Sequence, residues 1–114
     1  MFANLKSLGS DIPGFMAQLV AEFADSVQRH TRGMRLAILH GDAEGLGFAA
    51  HSLKGSCGII GARRMAAMTR QIEETANRGG NETLPLVVAL EVEYRSVRIA
   101  LDALLSADAT SLRP

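Results

Sequence analysis

Apolar residues recur along this chain at intervals of three and four, in four separate runs. In the first run Met16, Val20, Phe23, Val27, His30, Met34 and Ala37 follow one another at that spacing, with Phe15, Leu19 and Ile38 beside them. An α-helix turns once in 3.6 residues, so such spacing paints one stripe along a helix. The second run is Leu46, Ala49, Leu53, Cys57 and Ile60; the third is Met65, Met68, Ile72 and Ala76. The fourth is Val87, Leu90, Tyr94, Val97, Leu101 and Leu104. No run alternates with the period of two that a half-buried strand needs.

The punctuation agrees. Asp11 reads as an N-cap with Pro13 in the first helical turn. Gly41-Asp42 ends one helix and caps the next, and Gly61 breaks the chain again. A further stop falls at Asn77-Arg78-Gly79-Gly80, followed by a start at Asn81-Glu82-Thr83 with Pro85 inside the turn. These signals predict helices over about 12–40, 42–60, 62–78 and 82–107, a short extra helix over about 2–8, and a polar, frayed tail. Short connectors favour antiparallel neighbours, so the expected fold is all-α: one domain over residues 1–114, an antiparallel up-and-down four-helix bundle with a short extra N-terminal helix. No stripe is wide enough to demand a second surface, which predicts a monomer.

Composition narrows the partners. Twelve Lys and Arg balance twelve Asp and Glu, leaving no basic surplus to drive phosphate-backbone binding, so nucleic acid is not expected. Cys57 is the lone cysteine, which removes an intramolecular disulfide and a thiolate zinc cluster. No apolar run approaches the roughly 20 residues that span a bilayer, and the N-terminus lacks a signal-peptide layout. A cytoplasmic protein without a membrane partner is the expectation. His30 falls on the buried stripe of the first helix and reads as a core residue. His40 stands near a helix C-terminus, where it complements the dipole. No two histidines are spaced i,i+4, so no metal site is expected.

The second segment departs from plain packing. It holds Gly45, Gly47, Gly55 and Gly58, although an interior glycine costs a helix about 1 kcal/mol relative to alanine. Around His51, the positions three, four and seven away are Gly47, Phe48, Lys54, Gly55 and Gly58, while Leu53 and Cys57 turn to the core. The histidine thus lies on an outward face with glycines a turn below and above it, and Gly47, Phe48 and Gly58 are the expected partner-docking positions, with a place tucked under the first helix as the alternative for Phe48. Clearing side chains from beside the ring opens a path for a reacting group on another protein. Lys54 is placed to offset phosphoryl charge. An imidazole is a competent nucleophile near neutral pH when its other nitrogen is held. His51 lies ten residues before Gly61, so residues ten to thirteen past that break return to its height on an antiparallel hairpin. Among Gln71, Ile72, Glu73 and Glu74, Ile72 belongs to the core. Glu73 is the expected acceptor for Nδ1–H, with Glu74 and Gln71 as alternatives at the same height.

The stretch Ala49-Ala50-His51-Ser52-Leu53-Lys54-Gly55-Ser56-Cys57-Gly58-Ile59-Ile60-Gly61-Ala62 closely resembles the signature of histidine-containing phosphotransfer (HPt) domains. Ile72-Glu73 stands where that family has a Leu-Glu pair. The resemblance covers almost the whole chain, its specific part being residues 49–73. It departs at Ile59, where Asn is frequent, and at Met65, where Leu is usual. The resemblance implies that His51 accepts a phosphoryl group and relays it between receiver aspartates of a bacterial-type two-component pathway. It also implies receiver domains and a hybrid sensor histidine kinase as partners, and no cofactor of its own, Mg²⁺ coming from the receiver. A phosphocarrier reacting stoichiometrically, not an enzyme, fits the absence of any G-x-x-x-x-G-K-S/T loop.

Three rivals are weaker. The phosphoacceptor segment of a sensor kinase usually has an acidic residue after its histidine and a nearby proline; here Ser52 follows and the next proline is Pro85. The phosphotransfer domain of a chemotaxis-type kinase shares the motif and differs mainly in the ATP-binding domain that accompanies it, and an excised piece of such a kinase or of a hybrid kinase stays open as an alternative. A non-catalytic helical adaptor would leave the motif without a purpose.

Overall fold

The computed structural model describes residues 14–79 and 82–111. Its helices are α1 (Phe15–Leu39), α2 (Ala43–Ile60), α3 (Arg63–Asn77) and α4 (Thr83–Ser111), and no strand occurs among the described residues. Each helix packs on the next, α4 returns to α1, and α2 with α3 forms the most extensive pairing. This is the up-and-down bundle that the spacings predict.

Two boundaries differ from expectation. The N-cap position of α1 is Gly14, at φ 79°, three residues after Asp11; Asp11, Pro13 and the helix expected over 2–8 lie outside the described residues. At the other end α4 continues to Ser111 instead of stopping near 107. Leu104 and Leu105 still pack against the core there, and the alanines that follow are the best helix formers.

The two turns that frame α2 are built on left-handed glycines. Gly41 has φ 65°, and the Asp42 and Gly41 amides donate to Ala37 and Ile38 carbonyls at 2.8 and 3.2 Å. That pairing satisfies the carbonyls which the end of α1 leaves open. Asp42 then accepts from the Gly45 amide at 2.9 Å, capping α2. At the far end Gly61 has φ 85°, and both its amide and that of Ala62 donate to the Cys57 carbonyl at 2.9 Å.

Met34, Leu53, Ile60, Met65, Ile72, Leu90 and Leu101 are fully buried at the centre. Phe23 of α1 meets Tyr94 of α4 edge-on, ring centroids 5.9 Å apart, a geometry favoured by the ring quadrupoles. The core stripe slips at two places. His30 is only half-buried, and Thr31 is buried in its stead; Thr69, beside the half-buried Met68, is fully buried. Each threonine hydroxyl donates back along its own helix, Thr31 to the Val27 carbonyl and Thr69 to that of Ala66, both at 2.7 Å. The hydroxyl is thereby satisfied and the methyl is left to pack. Burial also pushes the Cys57 thiol up to about 12, which makes it an inert core side chain. No helix among the described residues is long and apolar enough to cross a membrane.

Candidate functional site

Three residues, His40 to Asp42, separate α1 from α2, and α2 presents two different sides. Leu46, Ala49, Ala50, Leu53, Cys57 and Ile60 are buried. Glu44, Phe48, His51, Gly55, Gly58 and Ile59 are exposed. The second set occupies one outward face at spacings of three, four and seven.

On that face the His51 side chain is 63% exposed, and its Nδ1 lies 2.9 Å from Glu73 Oε2 on α3. A carboxylate can only accept, so Nδ1 carries the hydrogen and the neutral ring keeps its lone pair on Nε2. Nε2 has no hydrogen-bond partner among the described residues. The Glu73 carboxylate is mostly shielded, and its second oxygen, Oε1, accepts from Lys54 Nζ at 3.3 Å. One carboxylate therefore holds the imidazole with one oxygen and the ammonium with the other. The alternatives for this role stand elsewhere: Glu74 pairs with Arg70 along its own helix at 3.8 Å, and Gln71 is exposed. The height match comes from the hairpin. Gly61 turns the chain, Ile72 is fully buried in the core, and the residue after it emerges beside His51.

The glycines divide. A Cβ built on Gly55 or Gly58 would meet nothing within 4 Å, so the bundle itself does not require either to be glycine. They leave space around the imidazole. Gly47 does not belong with them. It is buried, and a Cβ there would lie 3.3 Å from Asn77 Oδ1 and 3.9 Å from Ala76 Cβ. The wheel places Gly47 near His51, but on the flank where α3 crosses, so it serves helix packing and not docking. Gly45 also has a local reason. Its Cβ would collide with the Asp42 carboxylate, the group that caps the helix.

Phe48 is 73% exposed and stands out from the bundle, not tucked under α1. The spacings did not single out Ile59, which is exposed to a similar degree. It lies eleven residues from Phe48, three helical turns, so the two mark the same side of His51 about 16 Å apart. That interval was the available signal. Shallow grooves run between α1 and α2 beside each of them, one lined by His30, Gly33, His40 and Ala49, the other by Leu19, Glu22 and Ser56. His40 donates from Nδ1 to the Leu36 carbonyl at 2.8 Å, closing the end of α1. Desolvation, with Arg29 nearby, holds the His30 imidazole below its usual range. No group of three His, Cys, Asp or Glu side chains that could hold a metal ion occurs among the described residues.

Comparison with known proteins supplies an independent line. The family model described as the Hpt domain matches residues 18–107. The fold is similar to that of histidine-containing phosphotransfer protein B (HptB) from Pseudomonas aeruginosa PAO1, with a TM-score of 0.81 and 30% identity over 87% of each chain. It is also similar to the histidine-containing phosphotransfer protein ZmHP2 from maize, with a TM-score of 0.86 and 21% identity over 96% of this chain and 83% of that one. Among curated proteins, none matches by sequence.

Proposed function

Because the chain belongs to the Hpt domain family, we infer that His51 is the residue on which it carries out histidine phosphotransfer within a two-component phosphorelay. The observation that carries the assignment is the Nδ1–Glu73 contact at 2.9 Å on a ring whose other nitrogen faces solvent. In the reaction Nε2 attacks the phosphorus of a receiver's aspartyl phosphate. The P–N bond forms as the P–O bond to the aspartate breaks, and the carboxylate leaves with its electron pair. No proton has to be removed from the nucleophile, since Nε2 attacks through a free lone pair. The phosphorylated ring becomes cationic and retains Nδ1–H, which Glu73 is positioned to hold.

Lys54 completes the site. In the resting protein its ammonium rests on Glu73, one turn along α2 from the imidazole, within side-chain reach of a phosphoryl group on Nε2. It supplies charge compensation, and Gly55 and Gly58 supply room. The remaining catalysis, including Mg²⁺, comes from the receiver, so the protein acts as a phosphocarrier with no ATP site of its own and takes its phosphoryl group from a hybrid sensor kinase through receiver aspartates. Phe48 and Ile59 form the apolar part of the docking surface. The family spans a bacterial and a plant protein, so membership does not assign the chain to bacteria; the cytoplasm, where receivers are reached, is the proposed site of action.

The test is transfer from a phosphorylated receiver domain in Mg²⁺. The label should appear on the wild-type chain as an acid-labile, base-stable phosphoramidate and be absent from His51→Gln. Label persisting on His51→Gln would place the phosphoryl group on another residue and overturn the assignment.

A further inference from the structure

Charge is balanced over the whole chain but not over α3. The exposed positions of that helix and its C-cap carry Arg63, Arg64, Arg70 and Arg78 against one acid, Glu74. Two of the arginines stand in the first turn, which holds no acidic residue, although the positive end of the helix dipole disfavours a cation there. Arg64 has a local reason, an ion pair with Glu93 of α4 at 3.4 Å. Arg63 has no ion-pair partner among the described residues. Arg70 approaches Glu74 along its own helix at 3.8 Å, both side chains being mostly exposed, which is beyond hydrogen-bond length and worth little in water. The bundle has no use of its own for a positive charge at 63, and almost none at 70.

Both lie on the edge of α3 that borders α2. Arg63, Arg70 and Asn77 are seven residues apart, and seven residues return a helix to nearly the same side. Asn77 fixes which side, because its Oδ1 is the atom that a Cβ on Gly47 of α2 would meet. Heights follow from the same contact. Gly47 is level with Asn77 and His51 with Glu73, four residues on along α2 and four back along α3, so Arg70 comes level with Lys54. The opposite rim of the His51 face is apolar, since Phe48 and Ile59 border the grooves shared with α1. His51 thus sits between an apolar flank towards α1 and a cationic flank towards α3.

Within the site itself the charges already cancel. Glu73 holds the Lys54 ammonium as well as the imidazole, so one anion faces one cation and little field is left to draw in an anion from a distance. The incoming group is an aspartyl phosphate, and a receiver that holds Mg²⁺ beside it does so through carboxylates. Given the reading of His51 as acceptor, on which this rests, we propose that Arg63 and Arg70 form a steering edge for the acidic rim of the phosphorylated receiver. The edge sets the receiver's orientation as well, anionic side over α3 and apolar side over Phe48 and Ile59. Attraction of this kind raises the rate of encounter more than the strength of the final complex.

The test is the rate of transfer from a phosphorylated receiver in Mg²⁺, followed over receiver concentration at low and high salt. The double variant Arg63→Glu, Arg70→Glu should lower the second-order rate constant about tenfold at low salt. Its limiting rate at saturating receiver should be unchanged, and high salt should erase most of the deficit by screening exposed charges. The paired change to lysine should keep the wild-type rate, since steering needs charge and not a guanidinium fork. Arg32→Glu, Arg95→Glu is the control. It alters net charge equally at exposed positions of α1 and α4, away from the α2–α3 edge, and should stay within about twofold of wild type. An equal loss in that control, an unchanged rate constant in Arg63→Glu, Arg70→Glu, or a deficit that salt leaves intact would each overturn the steering edge. Absence of transfer to the wild-type chain is a different result, and would overturn His51 as acceptor and the edge with it.

Discussion

The two flanks of α2 use the same residue to opposite ends. On the side towards α3, Gly47 is where two helices come too close for a larger side chain, and Asn77 and Ala76 fill the space. On the outward side, Gly55 and Gly58 face nothing that belongs to this chain. A glycine whose vacancy is filled by its own protein serves the fold. One whose vacancy stays open, at a cost of about 1 kcal/mol in helix propensity, serves something that arrives from outside. The helix thus carries a folding constraint and a functional constraint within three turns, and only the structure separates them.

Substitution should make the difference measurable. The largest effect is expected for Gly55→Leu: transfer from a phosphorylated receiver should fall by about 100-fold, since small displacements of reacting groups cost that much, while thermal unfolding shows equal or greater stability. Retained transfer would remove the access role from Gly55. Gly47→Leu should behave in reverse, losing about 1–3 kcal/mol of stability in chemical denaturation through overpacking, with the surviving folded fraction still active. An unchanged unfolding free energy would mean that the α2–α3 approach is looser than described. The smallest effect concerns the closed flank itself. In Glu73→Ala, ¹⁵N NMR of the His51 ring should show the Nδ1–H tautomer giving way to a mixture, as expected once its acceptor is gone. An identical spectrum would show that Glu73 does not set the tautomer.

Much of this was legible before any coordinates. The three–four spacings defined the four helices because burying an apolar stripe is the dominant reason such segments fold. Glu73 was legible because a tight turn at Gly61 converts sequence distance into height along a hairpin. What stayed hidden depended on neighbours. A helical wheel gives the angle of Gly47 relative to His51 but not which helix crosses there. The exchange of His30 for Thr31 in the core was hidden because threonine reads as polar until its hydroxyl is seen to be satisfied by Val27. The link from Lys54 to Glu73 was likewise out of reach, since it depends on a lysine rotamer. The exposure of Leu84, Val88, Val92 and Ile99 on α4 was hidden as well, because these residues are as apolar as the members of the buried stripe between which they lie.

The acceptor and its orienting carboxylate are 22 positions apart, on consecutive helices that share the most extensive contact in the bundle. The centre is therefore built on one helical hairpin, and neither His51 nor Glu73 takes its hydrogen bond from α1 or α4. The outer helices are free to diverge in length, surface and partners while the chemistry stays where the hairpin puts it.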